Sequence, residues 1–173
     1  GRELFALQLP DYKPGDHQNL RMARKLDNGH YLVCHSGRHV VREYQPDGKV
    51  VWEKKTPNLC FAAVRLPNGN TLVSCLDKLI EYDFAGQEVW TLSNTDFPGE
   101  VVTNMTGFHV VGGTIAVGCY SAYKNGQGLG VFVVEKATKK LIWKYSKPNS
   151  DRSLMAVQIL DGHGQVLPAV PLR

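Results

Sequence analysis

Two groups of side chains in this 173-residue chain have types and spacing suited to chemistry. The first is His17, Arg21, His35, Arg38 and His39, close together in sequence. A guanidinium is a planar fork of donors and suits an oxyanion. The second is Tyr120, Tyr123, Lys124 and Asn125, in a glycine-rich stretch after Cys119, with Asp96, Phe97, Asp151 and Arg152 in other long connections. Aromatic faces beside planar polar groups suit a sugar or a peptide, which need stacking surface and paired hydrogen bonds. Gly126, Gly128 and Gly130 do not make a nucleotide cradle, because no helix follows to offer its N-terminus. No His or Cys pair has zinc spacing, and the turns at Asp47-Gly48 and Asp161-Gly162 lack the alternating oxygen ligands of a calcium loop. No metal and no cofactor are expected.

The elements that must position these groups are repeated. Leu26-Asp27-Asn28-Gly29-His30-Tyr31-Leu32-Val33 returns as Leu66-Pro67-Asn68-Gly69-Asn70-Thr71-Leu72-Val73. The run from Glu43 to Trp52 returns from Glu81 to Trp90, and a looser third copy extends from Met105 to Trp143. Gly29 and Gly69 are 40 residues apart, and Trp52 and Trp90 are 38 apart, so one unit is about 40 residues. Period-two alternation and turn dipeptides predict four strands per unit. They fall at 21–26, 30–35, 39–44 and 49–54, then 61–66, 71–75, 78–83 and 87–92, then 104–110, 114–119, 130–135 and 140–145. No segment holds a helical period. The expectation is an all-β chain, a β-propeller of four-stranded blades.

The whole chain, 1–173, reads as one propeller domain or fragment, a partial set from a ring of about six to eight blades. Residues 1–9 match the last strand of a preceding blade. Blades follow at 21–55, 59–93 and 101–147, the last with an insertion at 120–129, and 154–173 begins another. Turns after first and third strands are short. The long connections, 10–20, 93–103, 120–129 and 146–153, follow second or fourth strands, which alternation places on one rim. Trp52, Trp90 and Trp143 are expected to hold blades together.

A net charge of +4, scattered among acids, gives no basic tail or patch for nucleic acid. No apolar run approaches the ~20 residues of a membrane helix. Cys34, Cys60, Cys75 and Cys119 show no C-x-x-C pairing and read as unpaired core thiols.

Glu135-Lys136-Ala137-Thr138-Lys139-Lys140-Leu141-Ile142-Trp143 and Asp47-Gly48-Lys49-Val50-Val51-Trp52 resemble the D-x-x-T-G-K-x-x-W repeat of pyrroloquinoline-quinone-type propellers. Lys139 stands where that pattern has glycine. The resemblance would imply paired cysteines and a calcium site for the quinone, and this chain has no adjacent cysteines. The L-P-N-G-N-x-L-V flavour of the first half-unit is similar to arylsulfotransferase-like propellers. It is closest to exported, uncharacterised propellers labelled surface-layer proteins, which His17-Gln18-Asn19-Leu20-Arg21 also resembles in its H-x-x-x-R run. That resemblance would place the protein in the periplasm or outside the cell.

The resulting expectation is a non-enzymatic binding or scaffold module. It would recognise a glycan, peptide or protein through the long-loop rim, with Tyr120, Tyr123, His17 and Arg21 as ligand-binding residues. Self-association through exposed blade faces is a further expectation. The alternative is a propeller enzyme of the arylsulfotransferase-like or lyase-like type, in which His17, Arg21 and His39 would be catalytic. The resemblance would then have histidines accept the group while arginine holds sulfate oxygens.

Overall fold

Alternating apolar residues interrupted by Asn-Gly, Asp-Gly and Gly-Gly turns fold, among the described residues, into twelve strands, each within about one residue of its expected bounds. The computed structural model describes residues 1–3, 6–10, 12–120, 128–146 and 154–168. The first unit holds β1 (Met22–Lys25), β2 (Tyr31–His35), β3 (Val40–Tyr44) and β4 (Val50–Lys55). The second holds β5 (Cys60–Arg65), β6 (Thr71–Cys75), β7 (Lys78–Tyr82) and β8 (Glu88–Ser93). The third holds β9 (Asn104–Val111), β10 (Thr114–Tyr120), β11 (Val131–Glu135) and β12 (Leu141–Tyr145). Each unit is a separate four-stranded antiparallel sheet with strands in chain order.

The repetition extends to detail. Asn28 and Asn68 each accept the N–H of the residue two positions on, both at 3.0 Å, and Gly29 and Gly69 follow with φ of 84° and 85°. These Asx turns need a residue free to enter the left-handed region, which glycine does without a Cβ penalty. A bulge recurs in the ladder between third and fourth strands, at Glu43/Tyr44, Glu81/Tyr82 and Val133/Val134.

The sheets pack in series, with β5 on β1, β2 and β3, and β9 on β5, β6 and β7. One apolar seam joins Leu32, Cys34, Val41 and Trp52 to Ala63, Val73 and Ile80. The other joins Ala62, Val64, Leu72 and Leu79 to Met105, Phe108 and Ile115. The middle sheet is thus covered on both faces, and every residue of β6 is buried.

Two clasps lock each sheet to the next. Trp52 Nε1 donates to the carbonyl of Phe84 at 3.0 Å, and Trp90 Nε1 to that of Lys136 at 3.1 Å. Buried Glu43 accepts from Asn28 and from His30 Nδ1 (2.7 Å) in its own unit and pairs with Arg65 from the next. Glu81 repeats this with Asn68, Asn70 (2.7 Å) and Lys136 (2.5 Å). The basic partner lies over the indole each time, Arg65 on Trp52 at 5.2 Å and Lys136 on Trp90 at 5.8 Å. Trp143 departs from the expectation: it is 54% exposed, because among the described residues no following unit presents a turn to it.

Residues 1–3 and 6–10 form no strand. Residues 154–168 lie against the third sheet. Thr106 Oγ1 donates to Leu154 O and Gly107 N to Met155 O, and an isolated bridge joins Leu160 to Val166. A Cβ at Gly107 would stand 2.5 Å from the Met155 oxygen and 2.8 Å from the Ala156 Cα. Both obstacles are backbone. Gly107→Ala is therefore expected to cost about 1–3 kcal/mol and to loosen this segment. Limited proteolysis checks it: cleavage should accelerate within 154–168, and an unchanged pattern would contradict the close packing.

All four cysteines are free and buried. Burial pushes the Cys119 thiol up to about 12, and Cys34 and Cys75 are raised for the same reason. Cys60 moves the other way, lowered by a hydrogen bond with Cys34, but it is fully buried, so no thiol is open to attack. A thiol reagent should find no fast-reacting cysteine in the native chain and four after denaturation; a fast native thiol would refute this burial.

Candidate functional site

Antiparallel meanders place the β2–β3, β4–β5, β6–β7, β8–β9 and β10–β11 connections at the same end of the stacked sheets. This rim is held by its own hydrogen bonds. Asn58 donates to Asp77 at 2.8 Å and accepts from Leu76 N at 2.9 Å, tying the β4–β5 connection to the β6–β7 turn. Leu129 N donates to Val101 O at 2.9 Å, and Thr103 Oγ1 donates to Tyr120 O at 3.0 Å. The β8–β9 and β10–β11 connections are thereby joined. Ser93 and Asp96 form a capping box around a short 3-10 turn at Asn94–Asp96.

The expected site residues are spread over this end. Tyr120, at the end of β10, is 41% exposed and its ring is available. Tyr123, Lys124, Asn125, Asp151 and Arg152 lie outside the described residues. His17 is exposed in a shallow hollow with Tyr12, Asp16 and Asn19. His39 is exposed at the end of a 3-10 turn (Ser36–Arg38), with φ 54°. His35 is buried, its Nε2 2.8 Å from the Tyr44 hydroxyl, and serves the core. Phe97 is a correction: it is buried edge-on against Phe132, with centroids 5.1 Å apart, and offers no face to a ligand. Asp96 accepts from Ser93 N and pairs with Lys139, so its carboxylate is committed. His17 and Arg21 line separate hollows.

Arg21 occupies a different setting. It immediately precedes β1, donates its N–H to Cys34 O, and lays its guanidinium over Phe61 at 5.7 Å. Its Nε is buried without a hydrogen-bond partner. It lines a cavity of about 380 Å³ with Arg24, Phe61, Phe108 and the 155–158 segment, where the first strands of the three units approach one another. Burial lowers the pKa of Arg24 from its ordinary value. Burial, and then the Arg24 charge, lower that of His109, whose Nδ1 accepts from Ile159 N and whose Nε2 is buried without a partner.

Sequence reasoning reached Arg21 but missed Arg24 and the cavity. A signal existed: β1 alternates half-buried Met22 and Arg24 with exposed Ala23 and Lys25. An arginine on the inward face with no acid to match is anomalous for a packing strand. A second cleft, about 490 Å³, opens at the opposite, tight-turn end between the Asn28 and Gly69 turns, and Arg24 reaches it too.

Among the described residues, no three His, Cys, Asp or Glu side chains gather where they could hold a metal ion. No helix is long and apolar enough to cross a membrane.

No protein-family model matches the chain, and no curated protein matches it. Solved structures do. A protein of unknown function from Bacteroides caccae shares 20% identity at a TM-score of 0.67, over 76% of this chain and 50% of that one. Kuenenia stuttgartiensis hydrazine synthase shares 17% identity at a TM-score of 0.64, over 88% of this chain and 43% of that one. The computationally designed Ika8 protein shares 12% at a TM-score of 0.57, over 93% of this chain and 44% of that one. The chain spans half or less of the length of each. At these identities the likeness is one of fold: an all-β chain of repeated four-stranded antiparallel sheets.

Proposed function

We propose that the three sheets are blades of a β-propeller, part of a larger ring, and that the chain is a non-enzymatic binding or scaffold module. In this reading 21–55, 59–93 and 101–147 are blades, 1–9 closes a preceding one and 154–173 opens the next. A glycan, peptide or protein is recognised at the long-loop rim through Tyr120, Tyr123, His17 and Arg21. One observation carries the reading: among the described residues the β8–β9 and β10–β11 connections share one end of the sheets and are joined there by Leu129 N to Val101 O and Thr103 Oγ1 to Tyr120 O. Loop segments already tied to one another lose less entropy when a ligand binds. The separation of His17 from the Arg21 cavity favours binding over group transfer, which needs acceptor and oxyanion donors converging on one atom.

The test pairs glycan and peptide arrays with a turnover assay using an aryl sulfate donor. Saturable binding that weakens at least about tenfold in Tyr120→Ala, at unchanged stability and without turnover, supports the module. Sulfate transfer abolished by His17→Ala or His39→Ala would replace it with an enzyme.

A further inference from the structure

The cavity between the first strands carries an unbalanced charge. Arg21 and Arg24 both line it, and among the described residues no carboxylate is paired with either. Arg21 Nε is buried and unpartnered. Arg24 Nε points at the Met22 sulfur at 3.0 Å, and a thioether is a poor acceptor for a charged donor. Among the described residues, half-buried Arg65 pairs with Glu43 and Lys136 with Glu81, while Lys54, also without an anion, lies over the Tyr82 ring at 4.9 Å. Two half-buried guanidiniums without anions are costly unless something supplies the charge.

The remaining walls say what else the occupant carries. Phe61, Phe108 and Met155 are apolar, and Gly107 brings its backbone to the surface of the cavity. At about 380 Å³ the space takes a small molecule or the end group of a longer ligand. Guanidinium forks match a carboxylate in a planar, two-bond geometry, and the apolar walls, of which Met155 is the most exposed, suit an apolar body attached to it. We infer that this cavity binds a small organic carboxylate with an apolar body, its carboxylate held between Arg21 and Arg24 and its body against Met155, beside Phe61 and Phe108.

The inference rests on reading the chain as a binding module, and deepens it by naming a ligand class for the Arg21 end of the site. Benzoate is the probe, titrated calorimetrically into the full 173-residue chain, with benzamide and inorganic sulfate as comparisons. The expected result is one saturable benzoate site. Arg21→Gln and Arg24→Gln should each weaken it about tenfold or more, the worth of a charge-assisted hydrogen bond. Benzamide and sulfate should each bind at least about tenfold more weakly, having lost the charge or the apolar body. Backbone amide shifts at Ala62 and Gly107 should move with benzoate and stay still with benzamide. Should Arg21→Gln fail to fold, Arg24→Gln and Arg21→Lys carry the comparison.

No saturable benzoate binding, binding indifferent to both arginines, or sulfate binding as tightly as benzoate would each overturn the inference. The broader reading fails separately. Turnover of an aryl sulfate would remove the binding-module assignment while leaving a benzoate site intact, and rim binding without benzoate binding would do the reverse.

Discussion

Trp52→Ala should destabilise the chain by about 3–5 kcal/mol, while the same change at Trp143 should cost no more than about 0.5 kcal/mol. The two residues hold equivalent places in the repeat, so the contrast isolates what the next unit contributes. Trp52 is 7% exposed, and its ring lies in the seam between the first two sheets. Removing it opens a cavity, strands the Phe84 carbonyl that its Nε1 satisfies, and takes the surface from under Arg65. Trp143 is 54% exposed and has little of this to lose. Trp90, half-buried with its Nε1 on Lys136 O, should fall between. Urea midpoints at constant slope read the order directly. Equal losses at all three positions would mean that the indoles do not clasp one sheet to the next.

Acid should unlock the same junctions, and Glu43→Gln should blunt that response. Burial alone would raise the Glu43 carboxyl. Hydrogen bonds from His30 and Asn28 and the charge of Arg65 outweigh it and hold the group below the ordinary glutamate range. Glu81 is lowered in the same way, with Lys136, Asn70 and Asn68 outweighing burial. A carboxyl depressed in the folded state contributes stability that is fully present above the unfolded value of about 4.3. That contribution is lost as pH falls through the lower folded value, because the folded chain must then take up a proton that breaks the clasp. Stability should therefore decline from about pH 5 downward. Glu43→Gln should cost about 2–3 kcal/mol at neutral pH, since it removes charge-assisted bonds to His30 and Arg65. The variant's acid limb should be shallower, and that of the Glu43→Gln, Glu81→Gln double variant shallower still. Denaturation midpoints across the acid range decide it: curves for wild type and variants that run parallel would place the acid sensitivity elsewhere.

How much of this was legible beforehand depends on whether the cause is local. The strands and turns were, because alternation and Asn-Gly chemistry act within a few residues, as at Asn28 and Asn68. Lys139 was legible as a departure from the repeat, standing where glycine is expected. It adopts φ 58°, so the backbone keeps the glycine-like conformation despite the side chain. What depends on the neighbouring unit was not legible. Trp52 and Trp143 read alike in the chain and differ only in what packs on them. Phe97 read as a loop aromatic available to a ligand, yet it fills the core beside Phe132, because an apolar ring in a long connection buries itself wherever a seam is open. The inward face of Arg24 was legible in its alternation with Met22, but its meaning comes from the absence of a carboxylate across the cavity, which no spacing in the chain encodes.

The most direct test of the functional account is hydrogen exchange on the chain with and without the glycan or peptide that an array selects. The account predicts added protection at the rim formed by 94–103, 120 and 128–130, extending to Arg21 at the head of β1, with the turns at 45–48, 67–70 and 83–86 unchanged. Protection confined to those tight turns, with the long-loop rim exchanging as before, would contradict it and move recognition to the opposite end of the sheets.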